Sequence, residues 1–157
     1  MSGSPKYLIV PTKNFERWLK RLTKYYKGSS KQAFQLFIFE RIAGLCIDPR
    51  PSDSAPEPIP GKMTLPDDLE FRKIRFTMPE LKRDSGRGKG RLMYLINTAQ
   101  NSITLVWIYT HEEFKGRPDA KSLIANLQGA IDSLEETDSS ENPEEQATSD
   151  NNSSDLM

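Results

Sequence analysis

The alternation of hydrophobic and polar positions divides the chain into a short strand, two helices, a proline-rich break, three strands and a last helix. Tyr7-Leu8-Ile9-Val10 is an apolar run closed by Pro11, the pattern of an initial strand joining a sheet. Phe15, Trp18, Leu19, Leu22 and Tyr25 or Tyr26 then recur at helical spacing, with Lys and Arg filling the other face. That spacing predicts an amphipathic helix of about four turns, which Thr12 or Asn14 can cap. Gly28-Ser29-Ser30 ends it and caps a second helix whose stripe is Phe34, Phe37, Ile38, Ile42 and Leu45. So short a connection makes the two an antiparallel hairpin. Residues 48–69 then carry prolines at 49, 51, 56, 58, 60 and 66. These exclude a helix or a central strand and predict an extended excursion over the surface, either functional or loosely ordered.

From Glu70 the hydrophobic period falls to two. In EFRKIRF, alternation puts Phe71, Lys73 and Arg75 on one face and Arg72, Ile74 and Phe76 on the other. Residues 91–97 and 103–109 are rich in Ile, Val, Tyr, Trp and Leu, and Thr98-Ala99-Gln100-Asn101-Ser102 separates them by a polar break of hairpin length. They should pair antiparallel. Ahead of them, Ser85-Gly86-Arg87-Gly88-Lys89-Gly90 holds three glycines and two cations, a loop that can approach a phosphate closely or be a mobile tip. Pro118 and Asp119 open a final helix in which Leu123, Leu127, Ile131 and Leu134 mark one face, beside Ala120, Ile124 and Ala130. Trp18 and Trp107 are assigned to the core. The predicted fold class is α+β, a small antiparallel sheet in the order β-α-α-β-β-β and then a C-terminal α, with the helical hairpin packed on one face. Residues 1–136 form this domain, with 48–69 as its loop excursion. Residues 137–157 offer nothing apolar to bury beyond Ala147 and the terminal Leu156-Met157, which predicts a disordered acidic tail.

Charge changes the picture. The formal net charge is zero, yet all 22 Lys and Arg lie at or before Lys121, while residues 135–157 hold eight acids and no base. Residues 1–134 therefore carry a net +8, which suits a polyanion or an acidic protein partner, with a solvated basic surface as the plain alternative. Cys46 is the single cysteine, so no intramolecular disulfide and no cysteine-based metal site can form. There is no apolar run of membrane-spanning length, and residues 1–6 lack the apolar core of a signal peptide. The expectation is a cytoplasmic protein without a membrane partner. No Walker loop, zinc spacing or serine triad occurs, so neither a metal nor another cofactor is expected.

The order of elements, together with FRKIRF, GRGKGRLMYLI and ITLVWIYTHEEFK, resembles the RelE/ParE superfamily of toxins from toxin-antitoxin pairs, in its RelE- and HigB-like branch. The resemblance covers roughly residues 7–134. It implies a ribonuclease that cuts mRNA on the ribosome without metal, by attack of a ribose 2′-hydroxyl on the adjacent phosphate, and that a cognate antitoxin holds inactive. Position by position, it places Lys73 and Arg75 as the basic pair of the first meander strand and Arg91 as the arginine opening the next. Tyr109 and His111 fall where the family sets aromatic, basic or histidine groups, and Lys115 is a further match. The chain departs from the family in following His111 with Glu112 and Glu113, acids that would oppose a phosphate unless they face away.

Such a cleavage needs a base near the 2′-oxygen, an acid near the leaving 5′-oxygen and cations around the phosphorane. His111 alone has an unperturbed pKa suited to proton transfer at neutral pH, leaving the other role to Lys73, Tyr109 or Arg75. Arg75 and Arg91 suit phosphate through their guanidinium forks, against the plainer alternative of pairing with Glu70 or Glu80. Tyr109 or Phe71 can stack on a base, although sheet aromatics are more often buried. Lys82, Arg83, Arg87 and Lys89 can follow an RNA backbone. Two competing readings use the same residues: a ParE-like inhibitor that binds DNA gyrase without cutting RNA, and a domesticated RNA-binding protein whose acidic tail lies across its own basic face.

Overall fold

The computed structural model describes residues 6–82 and 84–140, the side chains of 135–140 excepted, and arranges them in three layers. The elements are β1 (Leu8–Pro11), α1 (Lys13–Thr23), α2 (Gly28–Ile47), β2 (Ser54–Pro56), β3 (Leu69–Thr77), β4 (Lys89–Asn97), β5 (Ser102–Thr110) and α3 (Ala120–Ser140). One five-stranded sheet runs in the order β1-β5-β4-β3-β2. Its centre is the predicted antiparallel meander, with Phe71 opposite Leu95 and Ile96 opposite Ile103. Two features correct the predicted sheet. β1 joins beside β5 in parallel, Leu8 opposite Ser102, because the helical hairpin intervenes between it and the meander. The proline-rich excursion also adds β2 antiparallel to β3. Both edge strands end in proline, Pro11 and Pro56, where a missing N–H is tolerated and further pairing is blocked.

Period-two alternation sorts the meander between two cores. On one face Ile74, Leu92, Tyr94, Ile96, Ile103, Leu105 and Ile108 meet Phe15, Leu22, Phe34, Ile38 and Leu45 of the hairpin. On the other, Phe71, Met93, Leu95, Val106, Trp107 and Tyr109 meet Leu123, Leu127, Ala130 and Ile131 of α3. The last helix therefore packs on the domain along its predicted stripe. It runs to Ser140, past the point where apolar positions cease, and residues 141–157 of the predicted tail lie outside the described ones. α1 is shorter than four turns, ending at Thr23, yet Tyr26 is still buried, its ring stacked on Phe34 at 4.6 Å. Among the described residues no helix is long and apolar enough to cross a membrane.

A β-bulge between the Met93–Trp107 and Tyr94–Leu105 pairs sets the phase of β5. Val106 is the extra residue, so Val106 and Trp107 both point to the α3 face. Strict alternation from Ile103 and Leu105 would have sent Tyr109 and His111 toward the hairpin. The bulge turns them to the opposite side. It is held from α1: Asn14 Nδ2 donates to the Val106 carbonyl at 3.0 Å, and Thr12 Oγ1 donates to the Leu105 carbonyl at 2.8 Å while accepting from the Phe15 N–H at 3.1 Å. Thr12 is thus the cap, and Asn14 serves the sheet.

Candidate functional site

Strand register builds the site. On the α3 face, Arg75 of β3 lies opposite Arg91 of β4, which lies opposite Tyr109 of β5. The next row outward brings Lys89 beside His111, whose N–H donates to the Lys89 carbonyl at 3.2 Å. α3 leaves this end of the sheet uncovered, and an open cavity of about 590 Å³ forms over it. Lys73, Arg75, Arg91, His111 and Lys115 line it, joined by Glu57, Pro58 and Arg117. Five of the residues that the sequence singled out thus meet in one place.

The cavity has an open half and a locked half. Arg75 and Lys115 are exposed, Arg91 is half-buried, and none of the three enters an ion pair among the described residues. Burial and the Arg75 charge depress the Arg91 pKa, so the site disfavours this accumulation of cations and an anion would relieve it. The alternative pairing of these arginines with Glu70 or Glu80 is not present: Glu70 pairs with Arg72 and Arg50, and Glu80 accepts a hydrogen bond from Ser30 Oγ. In the locked half, Lys73 Nζ lies 3.1 Å from Glu57 Oε1, and Arg117 donates to Glu57 Oε2 at 2.8 Å and to the Pro58 carbonyl at 2.7 Å. The carboxylate is nearly buried, with a side-chain exposure of 7%.

His111 has its pKa lowered, first by burial and then by the charges of Arg91, Lys89, Lys73 and Arg75. Its imidazole is therefore held neutral near pH 7, the form that accepts a proton. Tyr109 does not line the cavity. Its ring is wholly buried edge-on to Phe114, and its hydroxyl has no hydrogen-bond partner among the described residues. Burial raises its pKa, so it keeps its proton beneath the cavity floor, and neither stacking on a base nor proton transfer suits it.

Phe71 is likewise corrected: at 3% exposure it packs with α3 and cannot stack on RNA. The two acids after His111 face away from the cavity lining. Glu113 accepts from the Thr110 N–H and hydroxyl, each at 2.8 Å, and from Tyr25 Oη, while Glu112 lies beside Gly86. Lys82, Arg87 and Lys89 are exposed outside the cavity, with Arg87 drawn over the Tyr25 ring at 4.7 Å; Arg83 lies outside the described residues. The glycine-rich stretch does not line this cavity. It forms a 3-10 turn at Gly86–Gly88, and Gly90 lies flat against Phe76.

Two site residues escaped sequence reading. Glu57 is the only charged residue in 54–61, enclosed by Pro56 and Pro58, and nothing local marks its partner. Register places it: Ala55 is opposite Lys73, so Glu57, two residues on, falls on the same face. Its N–H donates to the Phe71 carbonyl at 2.9 Å, continuing the β2 pairing by one residue. Arg117 sits in the turn after β5, where Gly116 and Pro118 signalled only a change of direction.

No protein family and no curated protein matches the chain by sequence. Several solved structures are similar to it. An archaeal RelE-RelB complex from Pyrococcus horikoshii aligns with 71% of this chain and 98% of its own, at 17% identity and a TM-score of 0.41. A metal-bound toxin from Helicobacter pylori aligns with 69% of this chain and 98% of its own, at 23% identity and a TM-score of 0.42. A mutant of the E. coli toxin RelE in the free state aligns with 74% of this chain and 96% of its own, at 14% identity and a TM-score of 0.41.

Proposed function

We propose that this chain is the toxin of a toxin-antitoxin pair, a metal-independent endoribonuclease that cuts mRNA on the ribosome and is held inactive by a cognate antitoxin. One observation carries this reading: Arg75, Arg91, Lys115 and a neutral His111 converge on a single open cavity, and the three cations have no carboxylate partner there. The resemblance of FRKIRF, GRGKGRLMYLI and ITLVWIYTHEEFK to RelE-like toxins supplies the reaction class.

His111 takes the proton from the ribose 2′-hydroxyl, whose oxygen then attacks the adjacent phosphorus. Arg75 and Arg91 hold the non-bridging oxygens as charge accumulates on the phosphorane. The bond from phosphorus to the 5′-oxygen breaks, leaving a 2′,3′-cyclic phosphate, and the departing oxygen takes a proton. With Tyr109 buried and a guanidinium too weak an acid, that proton comes from Lys73. Lys115 and Lys89 extend the cationic surface along the strand carrying the scissile bond.

Induction of the chain in a bacterial host, with primer extension on a reporter mRNA, tests the reading. Wild type should arrest growth and produce discrete cuts within translated codons. Arg91→Ala and His111→Ala should each keep the circular dichroism of the wild type and lose about 100-fold or more of the cleavage rate. Arrest with intact mRNA would refute the nuclease and favour a gyrase or other protein target. Absence of arrest would favour a non-catalytic RNA-binding protein.

A further inference from the structure

We infer that Glu57 is a built-in occupant of a second anion subsite, formed by Lys73 and Arg117, from which an incoming phosphate group displaces it. The inference rests on reading the cavity as a phosphate-binding site, and it adds a resting state in which half of that site is filled by the protein itself.

Geometry carries it. The two oxygens of the Glu57 carboxylate are divided between two cations, Oε1 at 3.1 Å from Lys73 Nζ and Oε2 at 2.8 Å from an Arg117 nitrogen. A phosphate presenting two non-bridging oxygens would use those same donors in the same manner. Glu57 is the single acid among the residues lining this cavity, against Lys73, Arg75, Arg91, Lys115 and Arg117. It comes from a different element than either partner. Lys73 belongs to the central part of the sheet, with its side chain only 10% exposed, whereas Glu57 and Pro58 extend the short edge strand β2. β2 is the shortest strand and lies at the sheet's edge, so the carboxylate can withdraw without disturbing β3, β4 or β5.

Charge bookkeeping agrees with displacement. A buried ion pair recovers little beyond its own desolvation, so exchanging the carboxylate for a phosphate group at the same cations is favourable once the newcomer also reaches Arg75 and Arg91, which the carboxylate does not. The carboxylate then leaves toward solvent at the cavity mouth. A single small anion that reaches only Lys73 and Arg117 gains no such advantage. The subsite therefore selects for ligands that bridge both halves of the cavity, a phosphodiester backbone or a phosphate monoester rather than a halide.

Titration of the full chain with inorganic phosphate, followed by the backbone amide and side-chain nitrogen resonances of 15N-labelled protein, tests this directly. Glu57→Gln keeps the shape and removes the charge; Glu112→Gln makes the same change in net charge at an exposed acid outside the cavity. Glu57→Gln should bind phosphate about tenfold more tightly than wild type, equivalent to about 1.4 kcal/mol, and Glu112→Gln should stay within about twofold. Adding Arg117→Ala to Glu57→Gln should remove the gain. Equal affinity in the two Gln variants, or weaker binding in Glu57→Gln, would overturn the proposal. Wild type gives a reading that needs no variant: saturating phosphate should shift the Glu57 amide and its 13C-labelled carboxyl carbon. A fixed Glu57 carboxyl while Arg75 and Arg91 respond would refute displacement and leave the proposed nuclease intact. Conversely, a tighter Glu57→Gln site on a chain that cuts no RNA would retain the subsite and dismiss the nuclease.

Discussion

Asn14→Ala probes the bulge on which the site's orientation depends. Asn14 is buried, and its amide donates to the Val106 carbonyl at 3.0 Å, at the extra residue of β5. The other contact to that carbonyl, from Thr12 Oγ1, is 3.4 Å long, and that hydroxyl makes its short bond to Leu105 instead. Alanine therefore leaves a buried carbonyl without a good donor, which costs about 1–3 kcal/mol. For a domain of this size with a urea dependence of about 1.5 kcal/mol per molar, the unfolding midpoint should fall by about 0.7–2 M. Chemical denaturation followed by Trp fluorescence measures it, since Trp107 neighbours Val106. A second effect should accompany the first: hydrogen exchange at residues 105–109 should accelerate, and cleavage should drop under conditions where nearly all of the variant is folded. A midpoint within about 0.2 M of wild type would show that the carbonyl finds another partner and refute the accounting. Destabilisation with full cleavage would refute the claim that the bulge aims His111.

Two further predictions concern the site and its frame. A Cβ on Gly90 would lie 2.3 Å from Phe76 Cε2, so Gly90→Ala should destabilise by about 2 kcal/mol or more, and Phe76→Leu in the same chain should restore part of it, measured by thermal unfolding. The His111 pKa lies below its ordinary 6.5, so near pH 6 the unfolded chain binds the extra proton more readily than the folded one. Folding should therefore weaken as pH falls below about 6.5, the contribution being complete above it, and the Hε1 resonance of His111 should titrate below 6.5. Arg91→Ala should move that titration upward; an unmoved midpoint would show that the Arg91 charge plays no part in it.

Much of the architecture was legible because it depends on local periodicity. The stripe from Leu123 to Leu134 predicts the buried face of α3, and the polar break 98–102 predicts the hairpin. Alternation in EFRKIRF separates Lys73 and Arg75 from Ile74 correctly. Where periodicity carries no phase, reading fails. All nine residues of β5 are buried, so an extra residue at Val106 leaves no trace in the hydrophobic pattern. The same property hid the fate of Tyr109 and Phe71. An aromatic ring beside cations fits base stacking and core packing alike, and only the position of α3 decides. Glu57 and the parallel seat of β1 are non-local facts, fixed by which strand lies beside which.

Gly90 bears on how such chains are recognised. The Gly-Lys-Gly run preceding Arg91 carries much of the resemblance to RelE-like toxins, yet Gly90 lies flat beneath the Phe76 ring and is not among the residues lining the cavity. What the run identifies is the architecture of a sheet. On the proposed mechanism, a descendant that had surrendered its chemistry would still need that glycine for as long as it kept Phe76, while nothing would restrain drift at Arg75, Arg91 or His111. Searches keyed to the glycines will therefore collect active and silent members together. On the proposed mechanism, genomic surveys sorted on Arg75, Arg91 and His111 would separate members able to cleave from members that are not.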